Sequence, residues 1–290
     1  MPDLKQIPAE AKLRVEKARA SHGAVDVAVR TFKRFSEDDC GFYAAALTYY
    51  VFFSIFPLLI FAAAVLGLVS EVFPGVREDL LERGFGSFPL VGELITPSTL
   101  DDLEGAAGRL ALLSIVLALY SGSGAIVALA HALNKIHRVE DEGNLLGKRL
   151  AALKWLVVFA VTLLGSLVVA GWARFAPGAL ADVLGYALGL GLNVAIFATA
   201  FKFLPHFRRS FREVMPGALI AGAIFELLKY FGTVYLDRGA AARSATFGAF
   251  ATAAGLLVAS YLLAQITLLA AEVNAVLAER RVTRQSLTTG

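Results

Sequence analysis

Of the 290 residues 57% are hydrophobic and only 18% charged, with a mean hydropathy of +0.66, where a soluble domain carries nearer a quarter charged residues. A soluble globular domain is thereby excluded, and a net charge of +3 is small enough that the position of each charge matters more than the sum. The lone Cys40 excludes an intramolecular disulfide and a cysteine metal cluster.

Residues 1–40 read as a cytoplasmic tail followed by an interfacial helix. Met1 to Glu37 is charged throughout and lacks the short apolar core and cleavage site of a secretory signal. From Ala24 to Phe35 the apolar residues Val25, Ala28, Val29, Phe32 and Phe35 recur at helical spacing, with Arg30, Lys33 and Arg34 on the other side. That pattern predicts an amphipathic helix lying on an anionic leaflet.

Residues 41–279 read as one transmembrane domain of six spans, over 41–70, 109–133, 151–173, 183–203, 214–236 and 245–277. The first span carries no charged side chain. As a helix it covers about 45 Å, more than the roughly 30 Å hydrocarbon core of a bilayer. Pro57 removes one backbone donor in mid-span and predicts a kink, with Ser54 placed to satisfy the freed carbonyl. The block Tyr49, Tyr50, Phe52, Phe53 and Phe56 is bulky for a lipid-facing surface and reads as packing against other helices. Between the first two spans, 71–108 reads as a large outer loop. Its prolines Pro74, Pro89 and Pro97 break it into pieces too apolar for a disordered linker, such as short helices capping the bundle. Residues 280–290 read as a second cytoplasmic tail.

An even number of spans puts both termini on one side. Twenty of the 27 lysines and arginines fall on that side and six on the other, with Lys229 inside a span. The positive-inside rule makes the terminal side cytoplasmic.

Glu226 and Lys229 are the most informative polar residues. They lie at i, i+3 on one face of the fifth span, and intramembrane charges of this kind face a bundle interior or a water-filled cavity. One reading is a site for a head group, ion or proton; the other is a buried pair that fixes helix register, or a lysine snorkelling to an interface. Asn193 on the fourth span and Gln265 with Thr267 on the sixth are candidates to line the same cavity, as are Tyr49 and Tyr50. For each polar residue alone, the competing reading is an ordinary interhelical hydrogen bond. Glu272 and Asn274 fall near the cytoplasmic end of the sixth span, where Glu272 is placed to pair with a basic loop residue or to gate a cavity mouth. Pro57 and the patch Ser121, Gly122, Ser123, Gly124 are candidates for gating or structure, since small residues either unwind a span at a binding site or let two helices approach closely. Gly185-x-x-x-Gly189 is compatible with a homo-oligomer but is common in membrane helices.

Enzyme chemistry finds little support. His22, His131, His137 and His206 are scattered, and no paired metal-ligand spacing occurs. Gly143 to Arg149 has the wrong spacing for a phosphate-binding loop, and Gly122-Ser123-Gly124 lies in an apolar helix. The expectation is a non-enzyme with no cofactor and no metal. Its basic loops are explained by topology rather than by nucleic acid.

Four stretches together, AAALTYYVFFSIFPLLI (44–60), ALNKIHRVED (132–141), FLPHFRRSFREVMPGALIAGAIFELLKYFGTVYL (203–236) and SYLLAQITLLAAEVNAVL (260–277), resemble the YihY/BrkB family in order and spacing. The resemblance covers most of the chain, from about Phe32 to Leu277. It implies an all-α, multi-pass protein of the bacterial inner membrane, of a family named for a virulence factor tied to serum resistance and formerly labelled ribonuclease BN. It implies membrane lipids as partners and transport or export of an envelope-related lipid or other amphiphile as the expected role. A non-transporting scaffold for envelope integrity is the rival reading, and a ribonuclease comes third.

Overall fold

A computed structural model describes residues 23–72, 97–139, 144–158, 179–207, 209–246 and 248–289. Every regular element among the described residues is a helix. In chain order these are α1 (Gly23–Glu37), α2 (Cys40–Val72), α3 (Pro97–Ile136), α4 (145–158), α5 (Ala179–Phe203), α6 (Phe211–Thr246) and α7 (Gly248–Thr289). Four segments are long and apolar enough to cross a membrane: Val116–Ile136, Gly185–Phe203, Phe211–Phe231 and Ala253–Thr283. Cys40–Ile55 is a shorter apolar piece of α2. Of the third expected span, 151–173, only the part to residue 158 lies within the described residues.

The helix α2 runs unbroken through Pro57. Ser54 does not rescue the carbonyl that Pro57 frees. Its hydroxyl donates to Val51 O at 2.8 Å, because a helical side chain leans toward the N-terminus and reaches back about one turn. α3 begins at Pro97, inside the stretch expected to be an outer loop. Proline suits a first helical position, where its missing N–H would have no partner anyway. The polar first turns hid this start from hydropathy. Residues 73–96, the remainder of that expected loop, lie outside the described residues.

α7 organises the bundle, packing against α6, α2, α1 and α3, while α2 lies along α3 and α5 along α6. The core is rich in alanine, with Ala132, Ala218, Ala221, Ala264, Ala270, Ala271 and Ala275 among Leu133, Ile136, Leu268 and Val214. Small residues let helices approach closely where no hydrophobic driving force draws them together. The outward face is apolar instead: Val116 and Leu119 on α3, Tyr186 on α5, Leu227 and Phe231 on α6, and Val258 and Leu262 on α7 are all exposed. A belt of that kind matches lipid rather than water.

Two positions of the aromatic block depart from the expected packing. Tyr49 is 60% exposed and leans at a tilt on the also exposed Phe53 at 4.7 Å, whereas Tyr50 turns in against Gly124. One residue of the α1 polar side departs from the expectation. Arg34, expected beside Arg30 and Lys33, is buried with Thr31 and Phe35, while Phe32 of the apolar side is 65% exposed. The reason is electrostatic: buried carboxylates on the bundle draw Arg34 inward.

α3 ends in a Schellman motif, with Val139 N–H donating to Asn134 O at 3.0 Å and Arg138 N–H to Lys135 O at 3.0 Å. Arg138 holds the left-handed position at φ 55°, normally the place of glycine. Arg138→Gly is therefore expected to raise stability by about 1 kcal/mol, read as a higher unfolding midpoint in detergent.

Candidate functional site

Two polar sites stand out, one within the membrane spans and one at the end of the bundle where α1 sits. The first joins α5 to α6. Glu226 Oε1 accepts from Asn193 Nδ2 at 2.6 Å and from Lys229 Nζ at 2.8 Å. The i, i+3 spacing puts the two charges on one face, and Asn193 meets them from α5, where Gly189 leaves room: a Cβ there would come 3.3 Å from Glu226 Oε1. The side chains of Lys229 and Glu226 keep 24% and 23% of their surface exposed. Three of the expected cavity residues are thus brought together.

Gln265 takes another course. Its amide donates to Tyr261 Oη at 2.6 Å, one turn away on α7, instead of reaching the Glu226 pair. Thr267 likewise bonds back to Leu263 O in its own helix. The serines of the small-residue patch do the same, Ser121 to Leu117 O and Ser123 to Tyr120 O. The glycines of that patch serve packing. A Cβ on Gly124 would strike the Tyr50 ring at 2.6 Å, and one on Gly122 would meet Leu156 at 3.1 Å. Gly189 is occupied within the chain, and a Cβ on Gly185 would meet nothing within 4 Å.

The second site gathers residues from α1, α2, α3 and α7. Arg34 is 8% exposed and Glu272 0%. Arg34 Nε lies 3.1 Å from Glu272 Oε2, and the same guanidinium pairs with Glu279 and donates to Ile136 O at 2.7 Å. Asp38 stands 3.8 Å away, and Cys40 Sγ is 3.6 Å from Glu272 Oε1. Nearby, Arg280 pairs with Asp26 and donates to Gly23 O at 2.9 Å, tying α7 to the start of α1. Glu272 was expected to find a basic partner in a loop; the partner is Arg34 of the helix assigned to the lipid surface.

Asn274 acts beside it. Its Oδ1 accepts from Gly217 N–H at 2.7 Å and its Nδ2 donates to Val214 O at 3.1 Å. Asn274 thus binds α6 where Pro216 lacks an N–H to give. Asn134 closes the neighbouring corner, accepting from His206 N–H at 2.9 Å and donating to His206 Nδ1 at 2.7 Å. His137 packs edge-on to Phe207 at 4.4 Å. Burial, reinforced by the Arg209 and Arg34 charges, pushes its imidazole down to about 3, so it is neutral near pH 7.

Arg34, Asn134, His206 and Gly217 were not among the expected site residues. An asparagine in the last turn of α3 and a glycine directly after a helical proline were the available signals. Among the described residues there is no group of three or more histidines, cysteines and acids placed to hold a metal ion.

Sequence comparison agrees with this architecture. The profile of the family described as "Virulence factor BrkB" matches residues 31–289. A UPF0761 membrane protein of Legionella pneumophila (strain Corby) is 27% identical over 89% of this chain and 64% of its own length. The UPF0761 membrane protein Mpe_A1422 of Methylibium petroleiphilum is 30% identical over 84% of this chain and 60% of its own. The chain therefore spans under two thirds of those relatives. The ribonuclease-like protein YfkH of Bacillus subtilis is 26% identical over 86% of this chain and 94% of its own length. No solved structure matches. With the match running from α1 to the end of α7, the chain belongs to the BrkB virulence-factor family of membrane proteins.

Proposed function

We propose that the chain moves an envelope-related lipid or other amphiphile across the bacterial inner membrane, as a six-span, non-enzymatic protein with both termini in the cytoplasm and α1 at the leaflet interface. The observation that carries this reading is the Asn193–Glu226–Lys229 group. A charged pair inside a spanning helix costs several kcal/mol unless it faces protein, water or a polar ligand. Here about a quarter of each side chain stays uncovered. An ammonium has three donors and Glu226 takes one, so Lys229 has donors to offer a passing polar head group. In this reading the substrate is a lipid or small amphiphile and no nucleic acid is bound.

The test is transbilayer movement of a fluorescent lipid in proteoliposomes. Wild type should accelerate movement, and Glu226→Gln and Lys229→Met should each slow it by about tenfold, the worth of one charge-assisted contact. Equal rates in all three would leave the pair a structural register device. A wild type no faster than protein-free vesicles would make the chain a scaffold, a reading that the interlocked charges at the α1 end favour.

A further inference from the structure

The Asn193–Glu226–Lys229 group is satisfied on one side only. Asn193 Nδ2 and Lys229 Nζ both donate to Glu226 Oε1, at 2.6 and 2.8 Å. Among the described residues Glu226 Oε2 accepts no hydrogen bond, and it is not sealed inside the bundle, since the side chain keeps 23% of its surface exposed. Lys229 Nζ stands over the Phe225 ring at 5.5 Å, and that ring is set by an edge contact with Phe197 of α5 at 6.3 Å. Beyond the N–H given to Glu226, the ammonium meets no acceptor among the described residues. The group thus presents a bare acceptor and bare donors of opposite charge, side by side on one helix face.

We infer that this site takes a zwitterionic phospholipid head group, with the ligand's ammonium on Glu226 Oε2 and its phosphate on Lys229 Nζ. The assignment rests on the transport reading and narrows its substrate class. Charge balance carries it. The pair is neutral as a whole, so a zwitterion laid antiparallel to it pairs both open ends and adds no net charge to a spanning segment. An anionic head group would give Lys229 its acceptor but press a second negative charge on Glu226, leaving an uncompensated charge in a low dielectric. A cationic amphiphile fails at Lys229 by the same count.

The surroundings suit a lipid. Tyr186 and Leu190 precede Asn193 along one stripe of α5, and Tyr230 lies one turn beyond Glu226 on α6; all three are exposed. A lipid whose head group is held at Glu226 has this apolar surface on which its acyl chains can lie, a surface that a small soluble zwitterion would not use.

The test uses phosphatidylcholine proteoliposomes of the full chain, loaded with either phosphatidylethanolamine or phosphatidylglycerol bearing the same acyl chains and the same acyl-chain label. The ratio of the two rates for one protein preparation cancels the amount of folded protein. Wild type should move phosphatidylethanolamine about tenfold faster, the worth of one charge-assisted contact. Glu226→Gln removes the acceptor for the ammonium and leaves Lys229 in excess, so the ratio should fall by about tenfold. Lys229→Met should instead slow both lipids and leave the ratio at or above its wild-type value, because the remaining carboxylate still repels the anionic head group. Equal movement of the two lipids by wild type would overturn the assignment and leave transport standing. So would a ratio that Glu226→Gln leaves unchanged, or one that falls alike in both variants. Movement of neither lipid above the protein-free rate would sink the transport reading, and this assignment with it.

Discussion

Arg34→Met is expected to lower the unfolding free energy by about 3–5 kcal/mol, the usual cost of stranding a buried charge. Glu272 has no exposed surface, and its charged partner is this guanidinium at 3.1 Å. Arg34 also serves Glu279 and the Ile136 carbonyl, one of the last-turn oxygens of α3 that no intrahelical N–H reaches. Methionine fills much of the volume but strands the Glu272 carboxylate beside Cys40 and Asp38. The neutral variant Glu272→Gln should be milder, because Arg34 keeps Glu279, Asp38 and the Ile136 carbonyl around it. The double variant Arg34→Met with Glu272→Met should recover part of the single loss, since an apolar pair needs no solvation. Equilibrium unfolding in mixed micelles measures all three. A single-variant loss under about 1 kcal/mol, the size of an exposed pair, would show that the cluster is wetter than its burial implies.

These contrasts mark what hydropathy conveys and what it does not. Glu226 and Lys229 were legible because charges interrupt an otherwise apolar run, and their i, i+3 spacing fixes a common face whatever the bundle does. Asn193 joined them in the structure through α5–α6 packing, with room made by Gly189. Gln265 interrupts an apolar run just as plainly, yet it is satisfied by Tyr261 on its own helix, a local option that polarity alone does not weigh. Arg34 was misread for the opposite reason. In a pattern that alternates apolar and basic residues, nothing separates the arginine that pairs with distant carboxylates from the lysine that faces solvent. Its partners Glu272 and Glu279 lie near the far end of the chain. Apolar runs anticipate the four spanning segments found among the described residues, but whether Tyr49 or Tyr50 turns inward depends on which helix presents Gly124.

The steepest response among the glycines should come from Gly217. A Cβ built there lies 2.3 Å from Ala270 O and 2.5 Å from Asn274 Nδ2. Neither neighbour can yield cheaply. Ala270 O belongs to the backbone of α7, and Asn274 is held by bonds to both Gly217 N–H and Val214 O. Gly217→Ala must therefore push α6 off α7 and break buried hydrogen bonds, an overpacking and desolvation cost of about 3 kcal/mol or more. Gly222→Ala meets Val194 Cγ2 at 2.7 Å and Val194 N at 3.2 Å, wider than the approach at Gly217, and should cost less. At Gly191 nothing lies within 4 Å, so alanine should gain helix propensity and stabilise by up to about 1 kcal/mol. Thermal unfolding of the three variants should rank them in that order. Adding Asn274→Ala to Gly217→Ala relieves only the side-chain clash, so the Ala270 carbonyl should keep the pair well below wild type. A wild-type midpoint for Gly217→Ala would mean that α6 and α7 do not meet at this closest point, and the register that carries Glu226 toward Asn193 would need to be redrawn.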